Sequence, residues 1–259
     1  MTEHHRLVEQ QFARQAPGFG QEGLTLTNRD YLTWMVDALD PDPHDAVLDV
    51  AAGTGHLGRA IAPRVRCVVC LDLTPDMLHE GERAARREGL TNITFLRGAA
   101  ENLPYSHSAF DAVVSRFAVH HFVEPLVQVR EMVRVCRPGG KVVLIDLVAP
   151  EGKGEATAYN RLERLRDPSH TLALSIEELR GALEGCGLSG IRTASRDIEV
   201  EVERWLALTS TATAKAQAIR EDLMRDVLGS LSTGMRPFLA DGVLMFTQRW
   251  VVAVGLKAD

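Results

Sequence analysis

The chain has 259 residues, 45% hydrophobic and 25% charged, with a net charge of −6. That is ordinary for a globular domain of generous size or a domain with an appendage. The acidic balance argues against a phosphate-neutralising surface, and so against a nucleic-acid partner. No apolar run approaches the roughly 18–20 residues that cross a bilayer, so no stable membrane insertion is expected. The start MTEHHRLVEQQFARQ is polar and carries acids, unlike a secretory signal. Four cysteines do not make a disulfide framework, and a reducing cytoplasm is the default. A homodimer is compatible with these totals.

Residues 1–40 read as mostly helical, with Tyr31, Leu32, Trp34, Met35, Val36 and Leu39 at near-helical spacing. This stretch is expected to form a lid over a domain spanning 41–259. His4 and His5 read as surface residues. Ala46–Val50 is a short buried strand running into a glycine-rich turn. Leu57–Ala62 reads as a helix and Arg66–Leu71 as a second strand. Cys67 and Cys70 spell C-x-x-C, but in apolar VRCVVCLD, where residues three apart point to opposite faces, they read as structural thiols rather than metal ligands. Pro75–Glu88 is a helix with Thr74 as N-cap, Pro75 at the first position and Gly89 as the stop. Asn92–Leu96 and Ala112–Ser115 are strands, Glu124–Arg134 is a helix closed by the turn RPGG, and Lys141–Leu147 is a strand. SIEELRGALEGCG at 175–187 carries a capping box, Ser175 with Glu178. Strand-like runs at Ile191–Val202 and Leu244–Leu256 flank a helical insertion at about 203–240. Alternating strands and helices predict an α/β fold: a Rossmann-like, seven-stranded, mostly parallel sheet flanked by helices. The last two strands lack a short crossover, so an antiparallel C-terminal strand is expected at the sheet edge.

VLDVAAGTGHLGRAIAP holds Gly53, Gly55 and Gly58 in the G-x-G-x-x-G spacing of a dinucleotide site. Asp49 stands just upstream, where it would repel a pyrophosphate but suit a cation. Asp72, in CLDLTPDM, lies 19 residues after Gly53, the place of an acid that takes vicinal ribose hydroxyls. A ribose and a positive charge without a pyrophosphate describe S-adenosylmethionine. The competing reading of the literal GTGHLG is a nicotinamide-dependent oxidoreductase. A methyltransferase fold reused for non-methyl chemistry is a third.

DVAAGTGHLG, LDLTPDML, NITFLRGAAENLPYSHSAFDAVVSRFAVHHF and RPGGKVVLIDL, in order and in register, resemble the motifs of class I S-adenosylmethionine-dependent methyltransferases. The likeness is to the small-molecule branch that includes ubiquinone/menaquinone-biosynthesis methyltransferases, and it covers about residues 45–150. DPSH at Asp167–His170 adds a weaker likeness. The resemblance implies that Asp49, Ala51, Gly53 and Gly55 line the methionine end of the cofactor. It implies that Asp72 holds the ribose hydroxyls, with Leu73 and Met77 against the adenine. Ala99, Ala100 and Glu101 would lie along the adenine edge, and Ser115 and Arg116 beneath the methionine chain. Many relatives carry Asp where this chain has Ala99, so the adenine amino contact would fall to Glu101 or a backbone carbonyl. Gly58 would only ease helix packing.

Transfer of a methyl group from a sulfonium needs alignment first, and a base only when the acceptor must lose a proton. His120 and His121 are the candidate bases, because they follow the fourth strand and histidine titrates near neutral pH. His170 could reach the pocket from beyond the fifth strand. No metal site is expected. Phe12, Phe19, Tyr31, Trp34, Trp205 and Phe238 could line an apolar acceptor pocket. The expected activity is methyl transfer to a small, fairly apolar O, N or C acceptor, in quinone or secondary-metabolite biosynthesis.

Overall fold

The structure, a computed structural model, describes residues 2–19 and 25–258; residues 20–24 of the expected N-terminal helical region lie outside them. The strands are β1 (Ala46–Val50), β2 (Cys67–Asp72), β3 (Ile93–Arg97), β4 (Phe110–Arg116), β5 (Cys136–Leu147), β6 (Leu188–Glu201), β7 (Pro237–Ala240) and β8 (Val243–Lys257). They form one sheet in the order β3-β2-β1-β4-β5-β8-β6, with β7 paired to β8 alone. β1 to β5 pair in parallel. β8 is antiparallel to β5, β6 and β7. The antiparallel C-terminal strand is thus present, but it is inserted between β5 and β6 rather than standing at the edge. Strand order reverses between β1 and β4, and a ligand crevice opens at the carboxyl ends of strands on either side of such a switch point.

The helices are α1 (Glu3–Gln15), α2 (Arg29–Leu39), α3 (His56–Ile61), α4 (Pro75–Arg87), α5 (Pro125–Val135), α6 (Lys153–Arg166), α7 (Ile176–Gly185), α8 (Val202–Leu208) and α9 (Thr213–Val227). Both sheet faces are covered. Val47 of β1 joins a core with Met35 and Val36 of α2, Leu57 and Ile61 of α3, Tyr159 and Leu162 of α6 and Ile219 of α9. Leu48 and Val50 join the opposite core, with Met132 of α5 and Leu179 and Leu183 of α7. This is the two-residue period of a strand buried on both sides. It sends the Asp49 side chain toward α3, the face of Val47. Within residues 1–40, α2 is built into the core, with Met35, Val36 and Leu39 at most 1% exposed; α1 lies over the crevice.

Several local expectations change. The insertion is helical through Val227 only, and β7 follows in a hairpin turned by Asp241 and Gly242, with φ of 49° and 81°. Asp-Gly with both residues left-handed is a two-residue hairpin signal. α6 had no visible start signal, and its N-cap, Gly152, offers no side-chain bond. RPGG is not a turn before β5 but a bulged part of it, with the register shifting opposite Phe110 and Ala112. Thr74 makes no side-chain cap bond; its N–H is instead the donor to Asp72 Oδ1 at 2.8 Å. The capping box of α7 is present in full, Ser175 with Glu178.

Candidate active site

A cavity of about 1560 Å³ opens at the switch point, larger than the roughly 300–1,000 Å³ of a typical small-ligand site. Its floor begins at the loop after β1. Ala51, Gly53 and Gly55 all have positive φ, of 54°, 56° and 69°. Only glycine adopts that region without strain, so Ala51 is held there by its surroundings. Phe117, just beyond β4, is a second strained residue at φ 52°, and it too lines the cavity. Such strain concentrates at functional sites.

The two glycines of the loop do different work. A Cβ on Gly53 would meet nothing within 4 Å, whereas one on Gly55 would lie 2.7 Å from Phe95 Cε1 and 3.2 Å from Cys70 Sγ. Gly53 and Ala51 border the cavity; Gly55 packs beneath it, as the N-cap of α3. Gly58 is equally tight, with a Cβ placed 2.4 Å from Cys70 Sγ. Its N–H donates to Asp49 Oδ2 at 3.0 Å. Asp49 is 1% exposed and does not border the cavity, and its Oδ1 has no protein partner. Burial pushes its carboxyl pKa up to about 7, against the pull of Gly58 N–H and Arg116.

Asp72 borders the cavity at the end of β2. Its Oδ2 accepts from Gly53 N–H at 2.8 Å, which ties β2 to the glycine loop. Burial raises its pKa, while the backbone donors Thr74 and Gly53 oppose the rise. Leu73, Ala99, Ala100 and Glu101 border the same end; Met77 does not, being fully buried on the core side of α4 itself. Ser115 is fully buried outside the cavity wall. Arg116 borders it, with Nη2 donating to Leu26 O at 2.7 Å and Cζ 4.5 Å from the Phe117 ring centroid. Burial pulls its pKa down to about 10, although Asp49 and Asp146 favour the charge.

His120 and His121 sit in a 3-10 turn, Val119–His121, and both border the cavity. His120 Nδ1 lies 2.5 Å from Asp146 Oδ1. Asp146, at the end of β5, is 1% exposed and also accepts from the N–H groups of His120 and Leu147. Burial would lower the His120 pKa, but the Asp146 charge and hydrogen bond prevail and leave it above the ordinary histidine value. His121 Nδ1 meets Ser169 O at 3.0 Å, and burial beside His120 pulls its pKa down to about 3. His170 does not reach the cavity: it is 3% exposed and its Nε2 meets Asn160 Oδ1 at 2.8 Å. The DPSH segment is a support under the histidine turn. Ser169 holds His121, and Thr171 donates twice to His120 O, from N–H and Oγ1, both at 2.8 Å.

Phe12, Phe19, Tyr31 and Trp205 border the cavity, whereas Trp34 and Phe238 do not. Trp34 instead carries Arg196 over its ring at 5.1 Å. His4 and His5 are half-buried and bonded across the cavity rather than free on the surface. His4 Nε2 donates to His121 O at 2.8 Å, and His5 Nε2 meets Glu101 Oε1 at 2.7 Å. Sequence reasoning also missed Asp146, whose signal was a lone acid in the apolar run KVVLIDL. No group of three or more potential metal ligands occurs among the described residues, and no helix among them is long and apolar enough to cross a membrane.

The family described as "Methyltransferase domain" matches residues 47–140. The methyltransferase YcgJ of Bacillus subtilis is 29% identical over 82% of this chain and 83% of its own length. Its crystal structure superposes with a TM-score of 0.80, at 27% identity, covering 90% of this chain and all of that one. YafE of Escherichia coli is 32% identical over 61% of this chain and 77% of its own length. A demethylmenaquinone methyltransferase of Renibacterium salmoninarum is 40% identical, over 48% of this chain and 51% of its own. Residues 47–140 are thus a methyltransferase domain, and with the fold and the glycine loop these matches favour S-adenosylmethionine over a nicotinamide as the cofactor of a class I methyltransferase fold.

Proposed function

We propose that the chain methylates a small, fairly apolar acceptor whose nucleophile carries an acidic proton, a hydroxyl first, and that His120 removes that proton. The observation that carries this reading is the His120–Asp146 pair on the wall of the cavity that begins at the glycine loop. Bound there, S-adenosylmethionine supplies an electrophilic methyl group on a good neutral leaving group. The residues present fit it. Asp49 Oδ1 is a buried carboxyl oxygen without a protein partner, set behind the cavity wall, so it would favour the α-ammonium by its charge, across the glycine loop, rather than by contact. Asp72 keeps lone pairs beyond its two backbone bonds for ribose hydroxyls, and the space over Gly53 is open. Leu73, Ala99 and Ala100 offer a small apolar shelf for the adenine, with Arg116 near the methionine chain.

The base follows from hydrogen-bond geometry. Asp146 Oδ1 takes the proton on Nδ1, which assigns the neutral ring's lone pair to Nε2, free to accept from the acceptor. The carboxylate then stabilises the imidazolium that forms, as in other His–Asp pairs. His121 is the weaker base, because its pKa is depressed and its Nδ1 is committed to Ser169. Phe12, Tyr31, Trp205 and Trp250 give the remaining wall its apolar character. Relatives named demethylmenaquinone methyltransferase and ubiquinone/menaquinone biosynthesis C-methyltransferase match about half the chain, so quinols and related phenols, with the ring carbon as well as the hydroxyl as acceptor atom, are the first to test. The decisive experiment offers the protein S-adenosylmethionine with a panel of phenols, quinols, amines and carbon acids, and follows S-adenosylhomocysteine release. Turnover with hydroxyl acceptors that collapses in His120→Ala supports the reading; turnover confined to amines and unchanged by His120→Ala overturns it.

A further inference from the structure

Helix α1 touches both ends of the cavity through two neighbouring stripes. Residues four apart on a helix lie on one face. One stripe is His5 and Glu9. His5 Nε2 meets Glu101 Oε1 at 2.7 Å, and Glu9 Oε1 accepts from Arg97 Nη2 at 2.9 Å. Arg97 in turn donates through Nε to Leu73 O at 3.1 Å. This stripe therefore grips the rim formed by Leu73 and Glu101. The other stripe is His4 and Phe12. His4 donates to His121 O, and the Phe12 ring meets the His121 ring edge-on at 5.0 Å and 82°. The start of α1 is itself fixed, because Thr2 Oγ1 accepts from His5 N–H while His5 Nδ1 accepts from Thr2 N–H. That second bond leaves the His5 proton on Nε2, facing Glu101.

We propose that α1 is a mechanical link between the two ends of the site, and that His4 and Phe12 are positioning residues for the turn that carries the histidines. Seating the helix on the Glu101 rim places His4 under the His121 carbonyl, and loss of either contact loosens the other. The structure joins Glu101 to the turn by no direct hydrogen bond, so α1 carries the coupling. That the turn so held presents a base rests on the assignment of His120 above; the link itself does not.

The turn is open to direct measurement. The N–H groups of His120, His121 and Phe122 are bonded to Asp146 Oδ2, Ala118 O and Val119 O, so their hydrogen exchange reports opening of the turn. In the full-length protein, Glu101→Ala is expected to speed exchange of the peptide containing 119–122 roughly two- to tenfold, the effect of one part-buried hydrogen bond. His4→Ala should do the same, and His4→Gln, which keeps a donor, should restore the wild-type rate. The double variant should show no more than the larger single effect. Exchange in β5 serves as the control for an intact fold. Should Glu101→Ala disturb β5, Glu9→Ala severs the second tie on the same stripe and is read in the same way. Wild-type exchange of the turn in Glu101→Ala or Glu9→Ala, or strict additivity with His4→Ala, overturns the link. Turnover of His120→Ala is measured in parallel: if it stays at wild type while the exchange coupling is present, the base assignment fails and the link stands.

Discussion

The two ends of the cavity are built by different means. At the donor end the decisive contacts are short in sequence: Asp49 to Gly58 spans 9 residues and Gly53 to Asp72 spans 19. Backbone N–H groups and tight glycines make the site, so it is formed as soon as β1, α3 and β2 pack. At the acceptor end His120 meets Asp146 over 26 residues, His121 meets Ser169 over 48, and His4 meets His121 over 117. Here groups from four separate segments converge, α1, the histidine turn, the end of β5 and the segment around Ser169, and each depends on the others for its position. The donor end is a local device that many chains can share, while the acceptor end is assembled by the whole fold and is free to differ.

That contrast predicts where variants act. The largest expected effect is at the acceptor end: His120→Ala should lower turnover by roughly 10²–10⁴-fold, the usual contribution of a general base, with S-adenosylhomocysteine affinity little changed. Because His120 must be neutral to accept a proton, activity should fall as pH drops through its raised pKa, above 6.5. Asp146→Asn should weaken turnover and move that acid limb toward lower pH, as the pH–rate profile will show. At the donor end Asp72→Ala should instead weaken cofactor binding by about 1.5–3 kcal/mol, the scale of charge-assisted hydrogen bonds; calorimetry that finds an unchanged affinity would remove Asp72 from the ribose.

Gly58→Ala should leave both chemistries nameable but destabilise the fold by about 1–3 kcal/mol, through overpacking against Cys70. Gly53→Ala meets open space and adds only the left-handed strain of φ 56°, about 1 kcal/mol. Denaturant midpoints of the two variants compare them directly. A further effect is a proton linkage, read as a slope in pH rather than as the loss of a contact. The Asp49 pKa is about 7 in the fold and 3.8 at its ordinary value, so its protonated form is favoured on folding. The stability it contributes is complete below about pH 3.8 and is lost as pH rises toward 7. A cationic amino-acid ligand favours the ionised form, so binding below pH 7 releases a proton. S-adenosylhomocysteine affinity should rise by at most about tenfold per pH unit up to 7 and level off above it. Asp49→Asn should abolish that slope.

Most of the parallel sheet was legible in the sequence because each strand is a short apolar run bounded by turn residues, and Ala46–Val50 matches the structure residue for residue. β7 is masked in the sequence by a helical pattern that runs on past Val227, although Asp241-Gly242 marks its hairpin. α6 was missed because its buried positions, Tyr159, Asn160, Leu162 and Glu163, mix polar with apolar residues. At the site, the glycine loop and Asp72 were legible because their spacing reflects a local backbone geometry. Met77 and Ser115 rest on the family resemblance, and α4 and β4 turn them into the core. Asp146 carries only the weak signal of a lone acid in an apolar run, and His4 and His5 carry none, because what ties each to the cavity is a partner far along the chain.

By itself the sequence determined the alternation of strands and helices, the glycine turn after β1 and the acid at the end of β2, since each depends only on neighbours within a few turns of chain. Tertiary structure alone decided which histidine is paired with a carboxylate, which aromatic rings face the cavity, and that α1 grips both ends of the site. Those choices depend on burial and on contacts between distant segments, and local propensity contains no term for either.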